Sequence, residues 1–330
     1  MKKVGAKNVG IISVGRYLPA RRLTNFDLEK IVDTTDEWIR TRTGIRERRI
    51  ASKGQRTSDL AALAGKEALK KARLKASDID LILVATISPD SNFPSTACLV
   101  QKTLGAKNAA GFDVGAACAG YLYAITIAKQ FIQSGRYRNA LVIASEKISS
   151  LIDWRDRNTC VLFGDGAGAC VLAPVKGRGI ISDYLDSDGE RADLMSVVAD
   201  HDREPLSQDT VLAKRPYVVM EGKELFKVAV TSMAEAVHIA ARRAGVKLSQ
   251  IDCVVPHQAN DRIITAVAKK LQIPKEKIFV NIDRYGNMSA ASIAVALYEA
   301  IEERRIKKGD LVALVAFGAG LVTGASVVEW

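Results

Sequence analysis

Two stretches of the chain repeat each other at a constant distance along the sequence. Residues 72–83 are similar to residues 244–255, and the likeness extends back through an alanine-rich segment that ends in two basic residues in both copies. Further on, residues 139–142 are similar to residues 309–312, and residues 168–172 to residues 324–328. Because internal similarity over such lengths indicates a duplicated unit of ordinary domain size, we predict two related halves, residues 1–178 and residues 179–330.

Each half alternates helical patterns with short strands that are almost entirely apolar. Such strands are predicted at residues 81–86, 140–145, 253–255 and 311–316, and a further strand at residues 278–280. Continuous apolar strands are typical of sheets that helices cover on both faces, so the pattern predicts the α/β class. The polar stretch from Asp183 to Pro216 has neither helical nor strand periodicity and is interpreted as a loop-rich insertion.

One uncharged segment is long enough to raise the question of a membrane span. Residues 311–328 contain no charged side chain, but Gly318, Gly320 and Gly324 would weaken a spanning helix. The segment is therefore interpreted as two buried strands around a glycine turn, and no membrane insertion is expected. The first residues show no apolar signal region, so a cytoplasmic location is predicted.

Charge and cysteine content restrict the partners and the chemistry. The 330 residues include 48 Lys and Arg against 37 Asp and Glu, a net charge of +11. Nucleic acids, anionic membranes, phosphorylated ligands and acidic proteins are therefore all possible partners. The five cysteines are scattered without a Cys-x-x-Cys pair, which argues against a disulfide framework and a zinc site, and no metal is expected.

Cys118 is the candidate nucleophile. It follows a short strand and several small residues, and it precedes an apolar helix that is predicted to run to about Ile132. At a helix N-terminus the macrodipole and the free N–H groups favour a thiolate, so a lowered pKa is expected. The alternative, a buried cysteine that acts as a small apolar side chain, is preferred for Cys98, Cys170 and Cys253.

His257 and Asn287 are the other candidates. His257 follows a predicted strand, at the sheet edge where sites of α/β proteins lie, whereas His201 is interpreted as solvated and His238 as structural. A thiol and an imidazole at two such junctions are the parts of a nucleophilic site, although the sequence does not give their separation. Asn287 precedes a helix predicted to reach about Arg305, and it suits either a helix cap or an amide donor.

Around these residues the sequence closely resembles the β-ketoacyl-[acyl-carrier-protein] synthase III family of the thiolase superfamily. The resemblance covers essentially the whole chain and rests on blocks at residues 36–39, 41–48, 116–120, 163–168, 256–260 and 286–292. It implies a thiolase-like, five-layered αβαβα fold of two pseudo-symmetric halves. It also implies an acyltransferase that starts fatty-acid synthesis by condensing an acyl-coenzyme A with malonyl-[acyl-carrier protein], with loss of carbon dioxide.

The resemblance implies a role for each matching residue. Cys118 would carry the acyl group in a ping-pong reaction, His257 and Asn287 would bind the malonyl thioester carbonyl, and the backbone N–H groups of Cys118 and Ala319 would form an oxyanion hole. The residues implied for coenzyme A are Trp38, Arg42, Arg157, Gly222 and Asn260. Those implied for the acyl pocket are Phe317 and, reaching across a homodimer, Phe93. Those implied for docking an acidic carrier protein are Lys227, Gln258, Ala259, Asn260, Asp261, Arg262, Lys269 and Lys270. No cofactor is implied, since acyl-coenzyme A is a substrate.

Three positions depart from the family pattern and two alternatives stay open. Ala319, Tyr285 and Met288 stand where the family would have Gly, His and Thr, which leaves the detail of the pocket undecided. A related synthase of the polyketide, chalcone or hydroxymethylglutaryl type would share the Cys-His-Asn chemistry. A basic nucleic-acid-binding protein would suit the arginines of residues 40–49, but aromatic residues are only 6% and no nucleic-acid motif is present. The acyl primer is not indicated.

Overall fold

The computed structural model describes residues 8–197 and 217–330, so His201 lies outside the described residues. Two sheets organise these residues. The strands of the first sheet are β1 (Val9–Tyr17), β4 (Leu81–Ala85), β5 (Ala110–Val114), β6 (Ala140–Lys147) and β7 (Asp165–Pro174). The strands of the second sheet are β8 (Ile180–Asp186), β11 (Cys253–Pro256), β12 (Leu311–Gly318) and β13 (Val322–Glu329).

Two short antiparallel pairs lie outside the main sheets. They are β2 (Arg21–Thr24) with β3 (Glu47–Ile50), and β9 (Met195–Val197) with β10 (Val218–Met220). The α-helices of the described residues are α1 (Asn25–Leu28), α2 (Asp36–Thr43), α3 (Thr57–Ala72), α4 (Thr96–Leu104), α5 (Gly120–Gln133), α6 (Arg157–Cys160), α7 (Gly222–Ala244), α8 (Asp261–Leu271), α9 (Ile282–Tyr285) and α10 (Ala290–Glu302).

The two sheets have the same strand order. The first runs β1-β7-β6-β4-β5 and the second β8-β13-β12-β11. In the place that corresponds to β5, Ile278 forms a single parallel bridge with Val254. Matching short 3-10 turns precede β4 and β11, at Ala76–Asp78 and Leu248–Gln250. The repeated sequence therefore appears as a repeated topology.

Five layers result from this arrangement. Helices α3 and α4 cover the outer face of the first sheet, and α7 and α8 cover the outer face of the second. Helices α5 and α10 fill the space between the sheets, within the largest cluster of buried apolar residues. The predicted five-layered αβαβα fold is confirmed, since the apolar strands are covered on both faces as their composition indicated.

Some predicted boundaries are wrong. The predicted strand at residues 278–280 is reduced to the bridge at Ile278. The stretch predicted as a loop from Asp183 contains the end of β8 and the whole of β9, while residues 198–216 lie outside the described residues. Helix α10 ends at Glu302 and not at Arg305. The chain passes from the first sheet to the second between Pro174 and Ile180, and a division at residue 178 stays a prediction.

The uncharged segment at residues 311–328 forms β12 and β13, which pair antiparallel around a turn. Across residues 8–197 and 217–330, every helix is too short or too polar to cross a bilayer.

Helix α10 packs directly on the backbone of β7. A Cβ atom on Gly168 would lie 2.5 Å from the Cβ of Ala294 and 2.8 Å from its carbonyl carbon. Real Cβ atoms do not approach backbone this closely, so the contact requires glycine on the strand and a small residue on the helix. The central layer is held against the first sheet by this close approach.

We predict that Gly168→Ala destabilises the protein by about 1–3 kcal/mol, the usual result of overpacking a close-packed interior. The measurement is the free energy of unfolding from urea denaturation. Gly189→Ala is the matched control, because a Cβ at Gly189 meets no atom within 4 Å, and its effect should stay within about 0.5 kcal/mol. Equal effects of the two substitutions would contradict the packing argument.

Candidate active site

Cys118 lies in a tight turn at the start of a central helix. The 3-10 turn Ala117–Ala119 leads into α5, and Ala117 has a φ of +41°, a conformation that residues with a side chain seldom adopt. Gly318, at the end of β12, approaches from the second half. A Cβ on Gly318 would lie 2.5 Å from the Cys118 nitrogen, so glycine is required where the two halves meet at Cys118.

Burial controls the protonation of Cys118. The residue is 4% exposed, and burial raises the pKa of its thiol to about 12. The position at a helix N-terminus is as predicted, but the expected lowering of the pKa is wrong for this structure. Desolvation of a thiolate outweighs the favourable end of the helix, so the thiol keeps its proton.

His257 follows β11 directly and faces the same region. Its backbone N–H donates to the Val315 carbonyl at 2.7 Å, which extends the pairing of β11 with β12. Burial lowers the pKa of His257 to about 3, so the imidazole is neutral at physiological pH. Within the described residues its Nδ1 has no hydrogen-bond partner. A neutral imidazole is a hydrogen-bond donor through one nitrogen and is a weak base here.

Gln258 is a structural residue whose side chain is not on the surface, and its role in carrier-protein docking stays a prediction. It is 1% exposed. Its Nε2 donates to the carbonyls of Pro256 at 2.8 Å and Phe279 at 3.2 Å, and its Oε1 accepts from the Asn281 N–H at 2.9 Å. These hydrogen bonds take the place of strand pairing at the edge of the second sheet. They also hold the loop that carries His257 in position.

Asn287 is held by backbone bonds from the first half. Its N–H donates to the Leu162 carbonyl at 2.8 Å, and its carbonyl accepts from the Gly164 N–H at 3.0 Å. Its Oδ1 accepts from the Ser289 N–H at 2.8 Å, which leaves Nδ2 as the atom that can donate into the site. Asn287 is therefore an oriented amide donor, and α10 begins after Ser289 without a side-chain cap from it.

The three candidates line one cavity. Cys118, His257 and Asn287 share a pocket of about 170 Å³. The apolar residues that share it are Leu162, Phe163, Met195, Met220, Leu225, Phe226, Ala229, Met233, Ile263 and Phe317. The predicted pairing of thiol, imidazole and amide across the two halves is thus realised by the fold, in an environment where few groups compete for hydrogen bonds.

An open cleft of about 770 Å³ leads from the surface towards this cavity. The two share Leu162, Met220, Gly222, Phe226 and Asn260 along their walls. The outer part of the cleft is lined by polar and basic side chains, while the inner part is apolar. A long ligand with a charged head and an apolar reactive end fits such a gradient.

The residues predicted for coenzyme A meet at the mouth of the cleft. The guanidinium carbons of Arg42 and Arg157 lie 4.5 Å and 5.0 Å from the centre of the Trp38 ring. Asn260 caps α8 and also donates from Nδ2 to the Arg42 carbonyl at 3.1 Å. The Trp38 indole therefore makes cation–π contacts with two guanidinium groups in the described structure. Gly222 lies along the wall of the cleft that leads inward.

The two phenylalanines predicted for the acyl pocket differ in their surroundings. Phe317 lines the cavity, whereas Phe93 is 86% exposed and does not line it. A role for Phe93 in the acyl pocket therefore depends on a second copy of the chain, and it stays a prediction.

The three departures from the family pattern do not crowd the cavity. Ala319 does not have a positive φ, and the left-handed conformations fall on Gly320 at +74° and Leu321 at +47°. Tyr285 and Met288 are buried but do not line the cavity. The Tyr285 hydroxyl donates to Glu299 at 2.5 Å, and Met288 packs beside Gly166. All three side chains are therefore absent from the lining of the cavity.

The remaining docking candidates are mostly accessible. Lys227, Arg262, Lys269 and Lys270 are exposed, Ala259 and Asp261 are half-buried, and Ala259 lines the inner cavity. Lys227 pairs with Glu224 at 2.8 Å. By contrast, the arginines of residues 40–49 do not form one surface, because Arg48 is fully buried and donates to the Val161 carbonyl at 2.6 Å. Arg48 is thus unavailable to a nucleic acid, whereas Arg40, Arg42 and Arg46 stay exposed.

Two polar residues near Cys118 were not identified from the sequence. Glu146 is the last residue but one of β6, and Ser289 lies between Asn287 and α10. Both are completely or almost completely buried, and both interact with Cys118. The signal for Glu146 was available, because a carboxylate directly after an apolar strand lies at the sheet edge where sites form.

Comparisons with known proteins agree with this geometry. Family models described as 3-Oxoacyl-[acyl-carrier-protein (ACP)] synthase III match residues 112–189 and, for the C-terminal part, residues 241–330. Relatives from Caldanaerobacter subterraneus subsp. tengcongensis and Clostridioides difficile, both named Beta-ketoacyl-[acyl-carrier-protein] synthase III, are each 53% identical. They align over 97% of this chain and over 97% and 98% of their own.

A solved structure gives the same result. The crystal structure of 3-oxoacyl-[acyl-carrier-protein] synthase III from Aquifex aeolicus VF5 superposes with a TM-score of 0.91 at 50% identity, covering 98% of this chain and 100% of that chain. The shared name of these relatives favours a synthase III over a polyketide, chalcone or hydroxymethylglutaryl synthase. The chain therefore belongs to the β-ketoacyl-[acyl-carrier-protein] synthase III family, whose members are condensing acyltransferases of the thiolase fold.

Proposed function

We propose that this protein condenses an acyl-coenzyme A with malonyl-[acyl-carrier protein] through an acyl-Cys118 intermediate, and so starts fatty-acid synthesis. The observation that carries the assignment is the single cavity whose wall presents Cys118, His257 and Asn287 together. A thiol and two neutral donors in an apolar pocket are suited to acyl transfer followed by formation of an enolate.

In the first half-reaction the Cys118 sulfur bonds to the acyl carbon and the bond to the sulfur of coenzyme A breaks. Negative charge develops on the thioester oxygen during this step. The backbone N–H groups of Cys118 and Ala319 are our candidates to receive that oxygen, since the close approach of Gly318 to the Cys118 nitrogen brings the two segments together. Such fixed donors act without reorganisation when the charge appears.

In the second half-reaction the malonyl thioester carbonyl binds to His257 and Asn287. The bond between the malonyl carboxylate and its α-carbon breaks, carbon dioxide leaves, and the resulting enolate attacks the acyl-Cys118 carbonyl. The neutral state of His257 and the orientation of the Asn287 amide suit hydrogen-bond donation to the enolate oxygen. Each such donor typically contributes ~3 kcal/mol.

Coenzyme A would bind along the cleft. An adenine would enter between the Trp38 ring and the Arg157 guanidinium, which must first separate from their present 5.0 Å contact; Arg42 would lie near the phosphates, because planar cations and an indole suit an aromatic, anionic ligand. Gly222 and Asn260 then flank the arm that reaches Cys118, past the apolar walls formed by Met220 and Phe226. The polar outer part of the cleft would thus bind the nucleotide, while the reaction takes place in the apolar inner part.

The acidic carrier protein would dock around the same mouth. Lys227 and Arg262 line the outer cleft, and Lys269 and Lys270 occupy the last turn of α8. Their positive charge would steer an acidic partner towards the cleft. We further propose a homodimer, in which the exposed Phe93 of one copy closes the acyl pocket of the other, and a cytoplasmic location.

We predict that Cys118 becomes acylated. Incubation of the wild-type protein with acetyl-coenzyme A should add one acyl group, seen by intact-protein mass spectrometry, because the thiol is the nucleophile of the cavity. The adduct should be absent in Cys118→Ala. Cys170→Ala serves as the matched control for a buried cysteine outside the cavity and should keep the adduct. An undiminished adduct in Cys118→Ala would refute the assignment.

We predict that His257→Ala and Asn287→Ala separate the two half-reactions. Loss of a donor to the enolate should lower malonyl decarboxylation by roughly 10²–10³-fold, while acyl transfer to Cys118 falls much less. Decarboxylation is measured as release of labelled carbon dioxide, and acyl transfer as the mass adduct. Equal losses in both half-reactions would contradict this division of roles.

We predict that decarboxylation does not depend on the protonation of His257 near neutral pH. Because burial lowers the pKa of His257 to about 3, the imidazole stays neutral as the pH is varied from about 5 to 8. In the double variant Cys118→Ala, Glu146→Gln, which removes the thiol and the buried carboxyl whose pKa is raised to about 7, the rate of malonyl decarboxylation should therefore be flat over this range. An inflection near the ordinary pKa of histidine would show that the imidazole titrates in the open range.

A further inference from the structure

Glu299 is a buried carboxylate on α10 that the reaction above does not use. The residue is 3% exposed. Its Oε1 accepts a hydrogen bond from the Tyr285 hydroxyl at 2.5 Å, and its Oε2 accepts one from Asn281 Nδ2 at 2.9 Å. The guanidinium groups of Arg16 and Arg284 form ion pairs with the same carboxylate, so its burial is compensated. Glu299 therefore connects α10 to β1 and to both ends of α9.

The short helix α9 lies between the segments that carry the two donors of the site. Asn281 immediately precedes α9, and Tyr285 is its last residue. Both side chains donate to Glu299, so this carboxylate fixes the beginning and the end of α9 together. The residues before α9 contact the loop of His257, and the residues after it lead to Asn287.

Asn281 connects Glu299 to the loop of His257. Its side chain donates to Glu299, while its backbone N–H donates to Gln258 Oε1 at 2.9 Å. The Gln258 amide in turn donates to the Pro256 carbonyl at 2.8 Å. Pro256 and Gln258 are the residues on either side of His257, and all of these groups are buried. A shift of Asn281 would therefore shift the imidazole.

Tyr285 connects Glu299 to Asn287. Gly286 lies between Tyr285 and Asn287, and its φ of +65° favours glycine. A Cβ on Gly286 would lie 2.7 Å from the Leu162 carbonyl oxygen, and the Asn287 N–H donates to that same oxygen at 2.8 Å. The backbone has little room to adjust here, so a shift of Tyr285 would shift the Asn287 amide.

We propose that Glu299 is a positioning residue for both hydrogen-bond donors of the decarboxylation step. It holds His257 through Asn281, and it holds Asn287 through Tyr285. In the described structure Glu299 does not line the cavity, so it acts through these residues and not on the substrate. The inference rests on the proposed roles of His257 and Asn287 in binding the malonyl thioester carbonyl.

A shared anchor matters because the two donors bind one atom. An enolate oxygen must lie about 2.7–3.1 Å from both N–H groups, so each donor has to be placed correctly relative to the other. Glu299 meets this requirement, since both links end on its carboxylate. The first half-reaction instead uses the proposed backbone donors at Cys118 and Ala319, and within the described residues no hydrogen bond joins Glu299 to either segment. The role of Glu299 is therefore specific to the malonyl step.

The test compares the two half-reactions in Glu299→Gln. Glutamine has nearly the same shape, but its amide has one acceptor oxygen, and its NH₂ group would face a donor. Release of labelled carbon dioxide from malonyl-[acyl-carrier protein] should fall roughly 10²-fold, while the rate and yield of acyl-Cys118 formation stay near the wild-type values. Partial unfolding would instead lower both activities together. Equal losses in the two half-reactions would therefore overturn the inference.

Two single substitutions separate the two links. Asn281→Ala removes the bond to Glu299 on the side of His257, and Tyr285→Phe removes the bond on the side of Asn287. Each should lower decarboxylation by a smaller factor than Glu299→Gln. In a His257→Ala background, Asn281→Ala should have no further effect, because its target is already lost, whereas Tyr285→Phe should still lower the rate. Full additivity of Asn281→Ala with His257→Ala would overturn the link to the imidazole.

Glu303→Gln is the matched control. Glu303 is exposed and pairs with Arg284 at 3.0 Å, so its loss weakens an ion pair of the same arginine without removing a bond to Asn281 or Tyr285. Both half-reactions should keep wild-type rates in this variant, and a selective loss of decarboxylation would overturn the inference. A wild-type protein that releases no carbon dioxide would refute the proposed function, and the inference with it. An active wild type with an unaffected Glu299→Gln variant would overturn the inference alone.

Discussion

The close packing of two small-residue helices between two sheets is the constraint on which the rest of this structure depends. Helix α10 rests on β7 through Gly168 and Ala294, and α5 begins against α10 through Gly120 and Ala290. Larger side chains at these contacts would push the sheets apart. Since both helices begin at the same region, their first turns bring Cys118 from one half and Asn287 from the other to a single wall. The site is a consequence of how the duplicated halves meet.

Burial then determines the chemistry of that wall. Removal of water keeps His257 neutral and the Cys118 thiol protonated, and it leaves Glu146 close to the point of ionisation. Each group is therefore in a state different from the one it would have in water. The same desolvation strengthens every hydrogen bond that a donor in the cavity makes to a developing charge. The apolar lining of the cavity thus stabilises the neutral forms of these groups in the resting state. It also strengthens the hydrogen bonds that stabilise charged intermediates.

The sequence predicted the architecture well because the relevant signals are local. Composition and spacing predict apolar strands such as residues 81–85 and glycine turns such as that at Gly320. The sequence repeat predicts the two related halves. The failures concern properties set by distant contacts. The low exposure of Gln258 follows from bonds to Phe279 and Asn281, and the raised pKa of Cys118 follows from burial by both halves. The predicted strand at residues 278–280 forms only one bridge, because strand pairing depends on contacts with residues that are distant in the sequence.

The stacking of Arg157 and Arg42 on Trp38 bears on how a ligand exchanges with the free protein. An incoming aromatic ring must replace a contact that the protein already makes with itself, so the net gain on binding is only the difference between two similar interactions. If a nucleotide binds there as proposed, the protein's own side chain would compete with it for the Trp38 ring. A thioester that lacks a nucleotide leaves this self-contact intact. In the proposed reaction, such competition would favour release of the nucleotide after acyl transfer.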